Sequence, residues 1–427
     1  MVAFARSYIK YRDKPGSFIK RPHAASQSYA PGQICRDYNW PNGIAVQPLT
    51  IAIMELGGHF YPSDLSPWAA RANLPVPVVN TFMLPGADDS PSDADGEVML
   101  DVFCAAQAYS SVTGLPAKIL IVYGPNTGQA FADITEYCNT LTGIGSGSGS
   151  WGTAETNSAD SDRANLDAQL QRALFPWHYA SGDNGSNDGT NTPTADWPSC
   201  SPYLASCGGT SKVPGSGAET VWNNGNGEGT GGGFSKFYGR PIWQPANTQG
   251  TGRMVPDWAA VADPNTGYDT LINGSWQVIG GTSAVAPLLA GFMCAVNGAR
   301  LKLGLPMIAQ PNQMIWSMLS SYYDIISGSN GAYNAEAGPD PCSGAGRPTA
   351  TTFAMMTGAS QVPPVLPPPV NSPPVNPPPA TPAFVLTVPT PIRAGQTFKI
   401  KAGKAIAAGK YDCFPSSGAA DAEVFAD

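Results

Sequence analysis

The sequence predicts an α/β protein built on a mostly parallel β-sheet with helices on both faces. Two observations predict it. Between Ile51 and Gly358 short apolar runs such as "AKILIVYGP" alternate with amphipathic stretches such as "GEVMLDVFCAAQAY" and "SAVAPLLAGFMCAVNGARLKLG". That alternation is the signature of strands joined by crossover helices. Apolar residues make up 42% of the 427, enough to bury a sizeable core.

Along the chain, residues 1–47 are irregular and weakly basic and read as an N-terminal arm. Residues 48–358 carry the α/β pattern. Residues 359–382 contain "PPVLPPPVNSPPVNPPPATP" and form a stiff polyproline linker, at about 3.1 Å per residue. Residues 383–427 alternate like a few short strands between glycine turns, a small β-rich module near the lower size limit for folding alone. A stiff tether and a small module suggest attachment to a surface or particle.

Only 13% of residues are charged, and the net charge is −8 with no basic run, which argues against nucleic acid as a partner. With 23 Lys plus Arg, charge repulsion at acid pH stays modest. This composition suits an acidic, extracellular life, although the N-terminus shows no signal peptide. No segment reads as transmembrane. The most apolar run, 278–296, is broken by Gly-Gly-Thr-Ser and Pro287 and reads as a buried helix.

The eight cysteines include no CxxC, so no structural zinc site is expected. Cys104 and Cys294 lie in apolar runs as core thiols. Cys200 and Cys207 flank a short loop and are the better candidates for a bridge.

The chemistry begins at "VIGGTSAVAPLLAG". Ser283 follows a Gly-Gly-Thr turn at the start of an apolar helix, the way a nucleophile is presented. A serine needs a proton acceptor, usually histidine. The three histidines stand in "RPHAA" (His23), "GGHFY" (His59) and "PWHYA" (His178), none in the context a Ser-His-Asp enzyme requires. Carboxylates serve better. Glu97 and Asp101 in "DGEVMLD" are four apart, so both lie on one helix face.

"IAIMELGG", "DGEVMLD", "SWG", "SGDNGS", "TGGGFS", "GRMVPDWAAVADPNTGY" and "GGTSAVAPLLAG" occur in this order, and together they resemble the sedolisin family of serine-carboxyl peptidases, kumamolisin-like members above all. The resemblance spans roughly residues 48–350 and implies a subtilisin-like fold. It implies Ser283 as nucleophile, Glu97 as general base, Asp101 as its partner and Asp183 as the oxyanion-stabilising acid. It assigns Glu55, Trp151 and Gly152 to the support of that glutamate or to the substrate cleft. It further implies one structural Ca²⁺, held by the side chains of Asp324 and Asp340 and the carbonyls of Ile325, Glu336 and Gly338. Oxygen donors of this kind are what a hard cation takes.

A base that works ionised and an oxyanion donor that works protonated coexist only at acid pH. The expected activity is therefore acid endopeptidase action on proteins or peptides. The alternative is a protein that kept the fold, lost turnover and binds through its tail. Relatives carry a long prodomain where this chain has residues 1–47, so the expectation is a chain already trimmed or one that folds unaided. Two segments depart from the family. "GIGSGSGSWG" reads as a linker or as a weak strand of tiny side chains, and "ALFPWHYASGD" puts Pro176 and His178 where a smooth apolar strand belongs.

Overall fold

The computed structural model describes residues 4–8, 10–11, 28–247 and 249–358, and three strands beyond them. The linker at 359–382 lies outside the described residues. Two units result, 1–366 and 367–427. In the second, Lys399–Lys401 runs parallel to Ala420–Phe425, which pairs antiparallel with Gly409–Cys413. Short strands are thus present where the alternation places them.

The first unit is organised by seven parallel strands. They are β1 (Thr50–Glu55), β2 (Val78–Met83), β3 (Lys118–Tyr123), β4 (Ile144–Gly149), β5 (Trp177–Ala180), β6 (Ala205–Ser211) and β7 (Trp258–Val261). Their order is β2-β3-β1-β4-β5-β6-β7, with Thr220–Val221 pairing antiparallel to β6. Alternate residues of β1 serve opposite faces, as a two-residue period requires. Ile51 and Ile53 join one buried cluster, Ala52 and Met54 the other. The first cluster packs beneath α1 (Asp95–Thr113) and α4 (Thr282–Lys302), the second beneath α2 (Gly128–Asn139) and α3 (Asp160–Arg172). Helix α4 is apolar and long enough to cross a membrane by length and composition, and it is buried in this core. The expected mostly parallel, two-sided α/β architecture is what forms.

The Gly/Ser segment is neither a linker nor poorly packed. It is β4, buried throughout, between β1 and β5. Its glycines make room for large neighbours. A Cβ on Gly147 would lie 2.6 Å from the Trp177 ring, and one on Gly149 would strike Tyr179. Small residues on one strand are matched by aromatics on the next, so the pair fills the volume of two ordinary strands.

His178 follows the same logic. It is buried, with Nδ1 at 3.1 Å from Gly147 O and 3.2 Å from Ser146 Oγ, and its ring stacks on Trp258 at 5.6 Å. Burial lowers its pKa to about 4 and keeps the imidazole neutral.

Two expectations are corrected. Cys200 and Cys207 are both free and buried, not bridged, and every cysteine among the described residues up to Cys342 is a free thiol. The supposed N-terminal arm enters the body of the fold. Arg6–Ser7 pairs antiparallel with Trp151–Ala154, Lys10–Tyr11 pairs with Ser275–Gly280, and Tyr8, Tyr29, Ile34 and Tyr38 are buried. Weakly basic composition said nothing of this, because the contacts are main-chain pairing and aromatic burial.

Candidate active site

The strand order reverses direction around β1 and β4, which places a crevice at their carboxyl ends. Open α/β sheets present their ligands at such a switch point. Glu55 is the last residue of β1, Ser150 follows β4, and Asp183 lies three residues past β5. Helices α1 and α4 begin at the same place and bring Glu97, Asp101 and Ser283.

Gly281 precedes α4 with φ 114°, a conformation open to glycine, and turns the chain so that Thr282 and Ser283 open the helix. Asp183 fixes that turn. Its Oδ1 accepts from Thr282 N at 2.7 Å and from Thr282 Oγ1 at 2.8 Å, while Oδ2 has no partner. Burial raises the Asp183 pKa to about 7, the Thr282 N–H acting against it. Ser283 N donates to Tyr8 O at 3.2 Å. A side chain on Gly281 would collide with both Tyr8 O and Asp183 Oδ2, so those two atoms share one small space. The Ser283 amide thus holds the Tyr8 carbonyl oxygen, and the unpartnered Oδ2 of Asp183 borders the same small space.

Glu97 and Asp101 are fully buried on one face of α1, as their spacing predicts. Neither Glu97 oxygen nor Ser283 Oγ has a hydrogen bond of normal length, yet the serine hydroxyl is close enough to lower the Glu97 pKa. Resting catalytic contacts are often loose in this way. Burial, then the charge of Asp101, pushes Glu97 well above the usual carboxylate range. Asp101 is raised by burial and by Glu55, and Ser150 Oγ opposes this by donating to its carboxylate at 2.8–2.9 Å. Glu55, raised by burial and by Glu97, accepts from Trp151 Nε1 at 2.9 Å. Three carboxyls in one dry pocket cannot all be ionised, so the cluster keeps protons at a pH where free carboxyls lose them.

Glu97, Asp101, Asp183, Glu55, Trp151 and Ser283 are therefore brought together, and Gly152 lies beside them on the strand that pairs with Arg6–Ser7. Sequence reasoning left out Ser150 and Thr282, which orient Asp101 and Asp183, and also Asp196, Asp188, Asn126 and Tyr8. Ser150 and Thr282 stood inside "SGSWG" and "GGTSAV" next to residues that were assigned. Tyr8 gave no signal.

The residues expected to hold calcium lie apart from this crevice in sequence, on the loops 324–340. Both aspartates converge on one turn. Asp324 Oδ2 accepts from Gly338 N at 2.7 Å, and Asp340 Oδ2 from Glu336 N at 3.1 Å. Among the described residues no group of three or more His, Cys, Asp or Glu is assembled for a metal. An ion here would take two carboxylates and main-chain carbonyls, a donor set that suits calcium.

No family model matches the chain. Kumamolisin from Bacillus sp. (strain MN-32) is 36% identical over 396 residues, covering 84% of this chain and 70% of its own. Tripeptidyl-peptidase sed4 of Aspergillus fumigatus is 30% identical over 220 residues, 40% of this chain and 36% of that one. Among solved structures, Pseudomonas sedolisin (a serine-carboxyl proteinase complexed with two molecules of pseudo-iodotyrostatin) superposes with a TM-score of 0.69. It is 24% identical and covers 79% of this chain and 98% of its own, a likeness of fold.

Proposed function

Because this chain belongs to the sedolisin family of serine-carboxyl peptidases, we propose that it is an acid-acting endopeptidase in which Ser283 attacks and Glu97 takes its proton. The observation that carries the reading is the Ser283 amide bonded to a peptide carbonyl oxygen beside the unpartnered Oδ2 of Asp183, with Glu97 close to the Ser283 hydroxyl.

Ser283 Oγ adds to the substrate carbonyl as its proton passes to Glu97. Asp101 shares that proton, its own charge eased by Ser150. The oxyanion receives hydrogen bonds from Ser283 N and from the carboxyl of Asp183, which is neutral below about pH 7. Above that pH an ionised Asp183 repels it. The lower limit belongs to the Glu55–Glu97–Asp101 cluster as a unit. Since burial raises all three, the working window lies nearer neutrality than ordinary carboxylates suggest.

Endopeptidase action is supported by the groove along Trp151–Ala154, which extends as far as Asn126 and accommodates residues 4–8, more than a tripeptide, before the Tyr8 carbonyl. A structural calcium ion held by Asp324, Asp340 and the carbonyls of Ile325, Glu336 and Gly338 belongs to the same proposal. So do an acidic extracellular setting, supported by the sparse charge of the chain, and attachment through the C-terminal strands.

The test is hydrolysis of unfolded casein from pH 2 to 8 by the parent, Ser283→Ala and Glu97→Gln. Activity that peaks on the acid side and is abolished by both changes supports the reading. A folded, inert parent overturns it and leaves a sedolisin-fold binding protein.

A further inference from the structure

The two segments that break the family's apolar pattern meet across the sheet. Ser148 of β4 is paired with His178 of β5, and Ser146 lies two residues before it. Gly147 and Gly149 turn toward Trp177 and Tyr179, so Ser146, Ser148 and His178 face the other way, toward α1 and α4. Their neighbours on that face are Ile51 and Ile53 of β1 and Ala205 of β6. Ser150 continues the row. Its hydroxyl donates to Asp101 of α1 at 2.8–2.9 Å and lies 3.3 Å from the Ser283 carbonyl of α4. Three buried serines, spaced about 6.6 Å apart, thus run along an apolar face from a buried imidazole to the carboxylate beside Glu97.

Hydrogen bonding gives each member of the row a direction. The Gly147 carbonyl, 3.1 Å from His178 Nδ1, only accepts, so Nδ1 carries the proton and Nε2 presents a lone pair. Ser146 Oγ, at 3.2 Å, shares the same N–H. His178 Nε2 and Ser148 Oγ are buried, and neither has a partner among the described residues. Ser150 Oγ gives its one proton to Asp101 and keeps its lone pairs. The row therefore holds two acceptors, His178 Nε2 and Ser150 Oγ, and one unused donor, the Ser148 hydroxyl. A water molecule matches that set: it accepts from Ser148 and donates to both acceptors, three bonds in all.

We infer that Ser148 and His178 are positioning residues for Asp101: with one bound water they hold the Ser150 hydroxyl against its carboxylate and so favour the charged form of the Glu97–Asp101 pair. This rests on Ser283 acting as the nucleophile with Glu97 as its base, and deepens that reading by naming two residues that tune the base. A hydroxyl that accepts a hydrogen bond donates a stronger one, and donation to a carboxylate favours its charged form. Burial and the charge of Glu55 raise the Asp101 pKa, and the bonds from Ser150 and Glu97 oppose them. Helix α4 packs over this face and keeps its only charges, Arg300 and Lys302, in its last turn.

At the other end of the row the imidazole meets no charged group. Burial lowers its pKa and the Gly147 carbonyl opposes this, while burial keeps Cys207 of β6 a thiol and Trp258 of β7 stacks on the ring. His178 is therefore neutral, and an acceptor at Nε2, above about pH 4. Below that pH Nε2 becomes a donor and the water loses one of its two acceptors.

The experiment compares the full chain with Ser148→Ala, which removes the donor and little volume, Ser148→Thr, which keeps the hydroxyl, and His178→Phe, which keeps a ring against Trp258. Rates of casein hydrolysis are read from pH 2 to 8, with thermal melts beside them. In Ser148→Ala and His178→Phe the acid limb should move up by at least about half a pH unit, about threefold in rate below the limb. Ser148→Thr should keep the limb of the parent, and the double variant should move it no further than either single change. The ¹⁵N spectrum of histidine-labelled chain gives a reading free of activity, and His178→Phe assigns the resonance. His178 should show a protonated Nδ1 and a hydrogen-bonded Nε2 that shifts in Ser148→Ala, and this decides even where His178→Phe fails to fold. Melts that fall while the limb and the Nε2 resonance stay in place reduce the row to packing; they overturn this inference and leave the peptidase intact. A folded parent that does not hydrolyse casein overturns both.

Discussion

Gly291 of α4 meets α1 at Ala105: a Cβ on Gly291 would run into Ala105 O and come 2.9 Å from Ala108 Cβ. The contact lies eight residues past Ser283 (291 − 283) and eight past Glu97 (105 − 97), roughly 12 Å up each helix at 1.5 Å per residue. The nucleophile and its base are thus set side by side by one missing methyl group. Gly291→Ala should cost about 1–3 kcal/mol by overpacking. It should also lower kcat through Ser283–Glu97 misplacement. A lower urea midpoint with unchanged kcat would show that the crossing does not align the pair.

Asp183 fixes the upper pH limit of the proposed reaction. Asn at this position keeps the acceptor for Thr282 and places an N–H donor where Oδ2 stands. Asp183→Asn should retain activity and lose the falling limb near pH 7, while Asp183→Ala should drop kcat by about 10²–10³. The profile of kcat from pH 4 to 9 checks both. A limb that stays in place in Asp183→Asn assigns it to another group.

Gly147 is complementary to Trp177 across the sheet, 2.6 Å from Cβ position to ring. Gly147→Val should destabilise by more than about 1–3 kcal/mol, since the indole has no room to retreat. Gly143, in the turn before β4 and with nothing within 4 Å of its Cβ position, is the control, where Gly143→Asn keeps the left-handed φ of 78°. Thermal melts of the two variants make the comparison.

Calcium, if held by Asp324 and Asp340, stabilises by mass action, about 2.7 kcal/mol at a hundred times its Kd. Removing it with EGTA should lower the Tm of the parent and leave Asp324→Asn unmoved. Equal melting of the parent with and without the chelator would remove the ion from the proposal.

Much of this was legible in the sequence because the relevant residues sit at element boundaries. Ser283 behind Gly-Gly-Thr, Glu97 and Asp101 one helical turn apart, and Glu55 at the end of an apolar run all announce their place through local pattern. What the sequence hid is non-local. Nothing in "FARSY" marks it as a strand until Trp151 and Gly152 are there to pair with it. The Gly/Ser run looked soft because its partners, Trp177 and Tyr179, lie some thirty residues on. The spacing of Cys200 and Cys207 suggested a bridge, while strand β6 keeps Cys207 in its own buried place.

The buried carboxyls also make folding a proton-consuming event. Glu55, Glu97, Asp101, Asp183 and Asp196 all have pKa values raised by burial in the folded chain. Their contribution is fully present below the unfolded values near about 4 and fades as pH rises through the folded ones, about 7 for Asp183. His178 runs the other way: its contribution holds above the unfolded value near about 6.5 and is lost as pH falls through about 4. Between those limits the raised carboxyls named here outnumber the one lowered imidazole, so refolding on the acid side in weak buffer should make the solution more alkaline, as an indicator dye would read. The chain takes its protons from the medium as it closes, and an acid medium supplies them freely.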